Sequence, residues 1–149
     1  MRLLAVWLHL LGITVWIGGL TYQTHVLLPA ARRGRPEPFA DAARRGRPAT
    51  WVAVGLVVLT GFYNVTQLGP LAGVMQTGAG LMLAGKFLLV IAAVSIAAQR
   101  DFAQLPRLAR AALDGQECGP RLRTIAALDH AVLLLALVII YLGLAISRG

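Results

Sequence analysis

The sequence predicts an all-α fold, an integral membrane four-helix bundle. Three observations carry that reading. The chain of 149 residues is 58% hydrophobic and only 13% charged, which excludes an ordinary soluble domain. It contains four apolar stretches, each long enough to cross a bilayer, which takes roughly 20 residues. Its arginines gather in two of the three segments that join those stretches.

Helix 1 is predicted over about 3–29. Its apolar run exceeds the roughly 7–15 residues of a signal-peptide core, so it reads as a permanent helix. Pro29 and the arginine run behind it end the span. The loop over 30–48 holds a short repeat: Arg32-Arg33-Gly34-Arg35-Pro36 returns as Arg44-Arg45-Gly46-Arg47-Pro48. It reads as two basic knuckles flanking a short amphipathic turn at the membrane surface. Helix 2 is predicted over about 49–67, with Gly55, Thr60, Gly61 and Asn64 as small or polar contacts for neighbouring helices. The uncharged stretch 68–77, with Pro70, reads as a loop. Helix 3, about 78–99, carries Lys86, the only lysine. The segment 100–123 is polar, and its part around 102–113 is weakly amphipathic and suited to lie along the membrane surface. Helix 4, about 124–146, starts near Asp129 and His130 and ends near Tyr141.

The positive-inside rule orients these spans. Arg32, Arg33, Arg35, Arg44, Arg45 and Arg47 lie in the first loop, and Arg100, Arg107, Arg110, Arg121 and Arg123 in the third. The loops 30–48 and 100–123 therefore face the cytoplasm and both termini face outward, in a multi-pass protein of a bacterial-type inner membrane. The net charge of +8 then serves topology and contact with anionic lipid, not nucleic acid. Cys118 is the only cysteine, which excludes an intrachain disulfide and a cysteine metal cluster.

A histidine within a span needs a partner and marks a site. By depth, at about 1.5 Å per residue, His9 matches Lys86 near the outer side and His25 matches His130 near the inner side. Around helix 1, His9 shares a face with Gly12, Trp16, Gly19 and Gln23, taken here as the core face. His25 lies roughly 160° away, on a face with Thr14, Gly18 and Thr21 that suits a homodimer or the headgroup region. Lys86 has three roles open to it: counter-ion, neutral ligand, or clamp on a carboxylate. Trp16, mid-span beside His9, packs a cofactor or the core, whereas Trp7 and Trp51 read as interface anchors. Asp129 has three roles open: orienting the His130 imidazole, capping the helix, or pairing with Arg123.

The run His9-Leu10-Leu11-Gly12-Ile13-Thr14-Val15-Trp16-Ile17-Gly18-Gly19-Leu20-Thr21-Tyr22 resembles the first helix of the HemJ-type protoporphyrinogen oxidases and of the related copper-resistance D (CopD) domains. Gly85-Lys86-Phe87 resembles the lysine helix of both, and Thr60-Gly61 with Val26-Leu27-Leu28-Pro29 resembles the CopD side. The HemJ resemblance implies a haem b protein with His9 and Lys86 as the essential pair. The CopD resemblance implies copper handling across the inner membrane. Where HemJ proteins carry an arginine after helix 1, this chain has Gln23-Thr24-His25-Val26.

Three functions follow. The first is a haem-dependent oxidoreductase or electron-transfer protein, with catalytic His9 and Lys86. Its haem b lies between histidines drawn from His9, His130 and His25, with Trp16, Lys86 and Tyr141 around it, and its electron donor and acceptor are unknown. The second is a copper-transport or copper-resistance protein of the CopD type using the same imidazoles. The third is an assembly subunit whose histidines only bond between helices.

Overall fold

The computed structural model describes residues 1–67 and 78–148, and no strand occurs among them. Four antiparallel helices account for nearly all of these residues. α1 is Arg2–Arg32, α2 is Pro36–Thr66, and α4 is Gly119–Arg148. α3 runs through Gly78–Gln99, Arg100–Gln104 and Leu105–Leu113 without a break. Each contains a stretch long and apolar enough to cross a membrane. Exposed Leu10, Leu59, Leu88 and Leu134 lie on the outer surface of the bundle, as lipid-facing positions require. The expected loop over 68–77 lies outside the described residues.

The helices are longer than the apolar pattern predicts, and the difference falls at one end. The expected loop over 30–48 is mostly helix. Only Arg33–Arg35 separate α1 from α2, and Gly34 takes φ 102°, a conformation that favours glycine. Pro36 then opens α2, where its missing N–H is no loss. Asp41 accepts from Arg44 and Arg45 at 2.9 and 2.8 Å, one turn along the same helix. The expected polar loop over 100–123 is also mostly helix. Leu105, Leu108 and Ala111 form a stripe buried inside the bundle, so this segment does not lie along the membrane surface. α3 stops in a paired turn, with Gln116 N–H on Ala111 O and Gly115 N–H on Ala112 O, and Gly115 supplies the φ of 65° that this turn demands.

These extensions build a core of their own. Leu28, Ala31, Phe39, Ala43, Leu105, Leu108, Leu122 and Ile125 pack together at the arginine-rich end. A second cluster, with Trp16, Leu20, Ala53, Val54, Ala93, Ala97 and Val132, fills the middle of the bundle. α1 packs mainly on α2, and α3 on α4. α1 approaches α2 tightly at Gly12, where a Cβ would meet Val57 Cγ2 at 2.8 Å and Ala53 O at 3.1 Å.

Two π-helical turns interrupt otherwise regular helices, Gln23–Leu27 in α1 and Arg100–Gln104 in α3. Each comes just before a proline, Pro29 and Pro106. A proline inside a helix lacks its N–H and crowds the carbonyl four residues back. Widening the preceding turn relieves that conflict and keeps the helix continuous. The two π turns face each other: Arg100 Nη2 donates to Gln23 Oε1 at 2.6 Å.

Candidate functional site

The polar residues fall into three groups along the bundle. The first lies toward the end that holds the termini. His9 Nδ1 is 2.9 Å from Thr60 Oγ1, and the Thr60 hydroxyl is itself directed at the carbonyls of Leu56 and Val57. Thr60 therefore accepts from His9 Nδ1–H, which leaves His9 Nε2 with its lone pair. Gly61 lies against the same ring, where a Cβ would be 3.4 Å from Cε1. Lys86 is close enough to act electrostatically on His9. Its ammonium packs on Gly143, where a Cβ would stand 3.0 Å from Nζ. Small residues on α2 and α4 thus make room for both side chains.

The second group is the pair His25 and His130. Their rings meet edge to face with centroids 5.9 Å apart. His25 Nδ1 lies 3.0 Å from Thr21 O, and His130 Nδ1 lies 2.6 Å from Ala126 O. A carbonyl only accepts, so both Nδ1 atoms carry the proton and both Nε2 atoms are free donors of a lone pair. Both residues lie on the exposed side of the bundle.

The third group is buried and joins all four helices. Arg100 is 5% exposed, Asp101 3% and Asp129 0%. Arg100 Nη1 donates to Asp101 Oδ1 at 2.7 Å, and Trp51 Nε1 donates to Asp101 Oδ2 at 3.0 Å. Arg100 Nε stands 2.7 Å from Asp129 Oδ1, out of line for a hydrogen bond, so neither atom has one. Asp129 Oδ2 lies 3.1 Å from Thr24 Oγ1. A small cavity beside Asp129 is lined by Trp16, Gln23, Thr50, Arg100 and Asp101. The tryptophan of α2 also packs on Phe102, ring centroids 5.3 Å apart, and Arg47 covers that phenylalanine at 5.4 Å.

The structure places the predicted residues as follows. His25 and His130 come together, and His9 and Lys86 share a layer. Trp16 is buried and lines the Asp129 cavity. Tyr141 is 71% exposed, about three turns along α4 from His130. On the His9 face, Gly12, Trp16 and Gln23 turn inward, whereas Gly19 is exposed with open space around it. Asp129 pairs with Arg100, not Arg123, because α3 continues as a helix past Gln99 and carries Arg100 into the bundle. Sequence reasoning assigns Arg100 and Asp101 to a loop and so misses them, together with Thr24 and the Trp51 contact. The available signal is Asp129 itself: a carboxylate inside an apolar helix requires a buried cation or hydrogen-bond donor.

Among the described residues, no three of His, Cys, Asp and Glu gather where they could hold a metal ion. No curated protein and no solved structure matches the chain. A family does match: residues 40–145, which include Lys86, Arg100, Asp101, Asp129 and His130, fit the one described as Copper resistance protein D. That match covers well over half of the sequence, and the chain belongs to the copper resistance protein D (CopD) family.

Proposed function

We propose that the chain handles copper(I) at the membrane, with His25 and His130 as its two ligands. The observation that carries this reading is the matched state of two touching imidazoles. Each Nδ1–H is held by a carbonyl of its own helix, the backbone contact that orients a metal-binding histidine and leaves Nε2 for the metal. Imidazole suits copper, and copper(I) is satisfied by two donors in a line, so a pair without a third ligand is a complete set. The rings are 5.9 Å apart on the exposed side of the bundle, where they can turn toward one ion without disturbing the core. Copper here is cargo, and the family description supports the same metal. Haem b draws on the same histidines, but a macrocycle held by both must lie between rings that now meet edge to face.

The test is an anaerobic copper(I) titration of the purified full chain against a chromophoric chelator. One copper(I) per chain is expected, lost in His25→Ala and His130→Ala and kept in His9→Ala. A wild-type chain that never competes with the chelator would sink the proposal.

A second reading rests on the layer at the other end. His9 and Lys86 interact there, and the HemJ resemblance implies this pair for haem-dependent porphyrinogen oxidation. A reduced b-type haem spectrum lost in His9→Ala and Lys86→Ala, and unchanged in His25→Ala and His130→Ala, would favour it over copper.

A further inference from the structure

Arg47 differs from its neighbours in the basic repeat. Arg44 and Arg45 share Asp41 through hydrogen bonds of 2.9 and 2.8 Å. Arg100 is taken up inside the bundle by Asp101 and Asp129. Arg47 makes no hydrogen bond and no ion pair among the described residues. Its Nε is buried without an acceptor, and its guanidinium rests on the Phe102 ring, 5.4 Å from the centroid. Phe102 packs in turn on Trp51, whose indole N–H is held by the Asp101 carboxylate. An arginine over an aromatic face is fixed in place, but its forked donors still lack an acceptor.

We propose that Arg47, Phe102 and Trp51 form a seat for an anionic phospholipid on the surface between α2 and α3. The lipid phosphate meets the Arg47 guanidinium, and an acyl chain runs beside the aromatic pair. Depth supports this arrangement. Trp51 opens the apolar part of α2, where tryptophan marks the edge of the hydrocarbon. Arg47 lies four residues, about 6 Å, nearer the arginine-rich end. The headgroup layer is roughly 5–7 Å thick on each side, so that step carries the guanidinium into the phosphates. Two oxygens of a phosphodiester match the guanidinium fork. Phe102 is 58% exposed and stays open to lipid. Beyond Trp51 the same inclined row of α2 continues through Gly55, which has open space where a side chain would stand, and exposed Leu59. That notch leaves room for the chain.

Every phospholipid carries a phosphate, and local charge selects among them. On this part of α2, Arg44, Arg45 and Arg47 stand against Asp41 alone, while Asp101 is buried and turned toward Arg100. A zwitterionic lipid would bring its own ammonium into that positive field. A lipid of net negative charge, such as phosphatidylglycerol, brings none. The seat lies on α2 and α3, whereas His25 and His130 lie on α1 and α4, so it does not depend on copper.

Quenching by brominated lipid reads this seat directly, because Trp51 is part of it. The purified full chain is placed in phosphatidylcholine vesicles with rising fractions of brominated phosphatidylglycerol, or of brominated phosphatidylcholine as the reference. Trp7 lies toward the termini and Trp16 is buried, and Trp51→Phe gives their background. The Trp51 signal should report about fivefold tighter association of phosphatidylglycerol than of phosphatidylcholine, the usual worth of one basic residue at a membrane surface. Arg47→Gln should bring the two lipids level. Arg44→Gln removes the same charge from the same surface and should leave the preference in place. Equal quenching by both lipids in the parent chain would overturn the proposal, as would an undiminished preference in Arg47→Gln. A loss in Arg44→Gln as large as in Arg47→Gln would reduce the effect to diffuse surface charge. Displacement by inorganic phosphate would make this a site for a soluble anion, and a Trp51 quenched by neither lipid would be covered by another chain; either result also overturns it. If Arg47→Gln does not fold, Arg47→Lys decides. It keeps the charge and loses the fork, so a weaker preference is expected and an unchanged one refutes the seat.

Discussion

Thr24 Oγ1 and Asp129 Oδ2 lie 3.1 Å apart, and each residue immediately precedes a histidine of the exposed pair. This single buried contact ties α1 to α4 one position away from His25 and His130. It thereby fixes the register in which the two rings meet. Thr24 is thus a positioning residue for the pair, although it touches neither imidazole in a hydrogen bond. Thr24→Val keeps the shape and removes the hydroxyl, leaving a buried carboxyl oxygen without a partner. That loss costs about 1–3 kcal/mol. Copper(I) affinity should fall by about tenfold, as a register change worth about 1.4 kcal/mol implies. Thr24→Ser should restore both. Chelator competition and denaturation in mixed micelles would measure the two effects, and an unchanged affinity in Thr24→Val would dismiss the positioning role.

Helix 1 offers an internal control for close packing. At Gly12 an added Cβ would meet Val57 Cγ2 at 2.8 Å and the Ala53 carbonyl at 3.1 Å, whereas Gly18 and Gly19 have nothing within 4 Å. The valine methyl can turn aside, but the carbonyl belongs to the backbone of α2 and cannot move alone. Gly12→Ala should therefore destabilise the bundle by about 1–3 kcal/mol, the usual range for overpacking. Gly18→Ala and Gly19→Ala should be neutral or slightly stabilising, because alanine is the better helix former. Parallel unfolding curves of the three variants would settle the ranking, and equal effects at all three would refute the close crossing.

Arg100 and Arg123 separate a buried cation from a surface one. Arg100 compensates Asp101 and reaches Asp129 and Gln23, all inside the bundle. Removing one partner of a buried ion pair costs about 3–5 kcal/mol, because the other charge stays behind. Arg100→Met should accordingly fail to accumulate in the membrane or should melt far below the parent chain. Exposed Arg123→Met should change stability by less than about 0.5 kcal/mol. Expression level and thermal unfolding would report the contrast. A stable Arg100→Met chain would mean that Asp101 is not ionised.

The apolar pattern makes four helices legible because hydropathy over a span is a long, redundant signal. It fails where the helices leave the apolar zone. Phe39, Ala43, Leu105 and Leu108 are too sparse among arginines to raise the local hydropathy, yet they form a packed core. The depth argument finds His25 opposite His130 and His9 near Lys86, since rise per residue is reliable in a helix. Rotation is less legible. The π turns at Gln23–Leu27 and Arg100–Gln104 shift the faces of α1 and α3, and they bring Gln23 and Arg100 together. Each π turn precedes a proline, and proline in a sequence is most simply read as the end of a helix. That reading hides Arg100 in a loop and leaves Asp129 without its partner.

Orientation rests on arginine distribution, and Cys118 allows a direct measurement. We propose that the arginine-rich end, with Arg33–Arg35 and the turn after α3, faces the cytoplasm. Cys118 lies in that second turn, between Leu113 and Gly119. It is partly exposed, and it is the only cysteine, so no background thiol or substitution is needed. In intact cells with a permeabilised outer layer, a membrane-impermeant maleimide should leave the chain unlabelled, while a permeant one should label it. After the inner membrane is opened, both should react. Labelling by the impermeant reagent before opening would reverse the orientation. It would then place the His25–His130 pair toward the outer side, where a copper(I) site would collect cargo from outside the cell instead of from the cytoplasm.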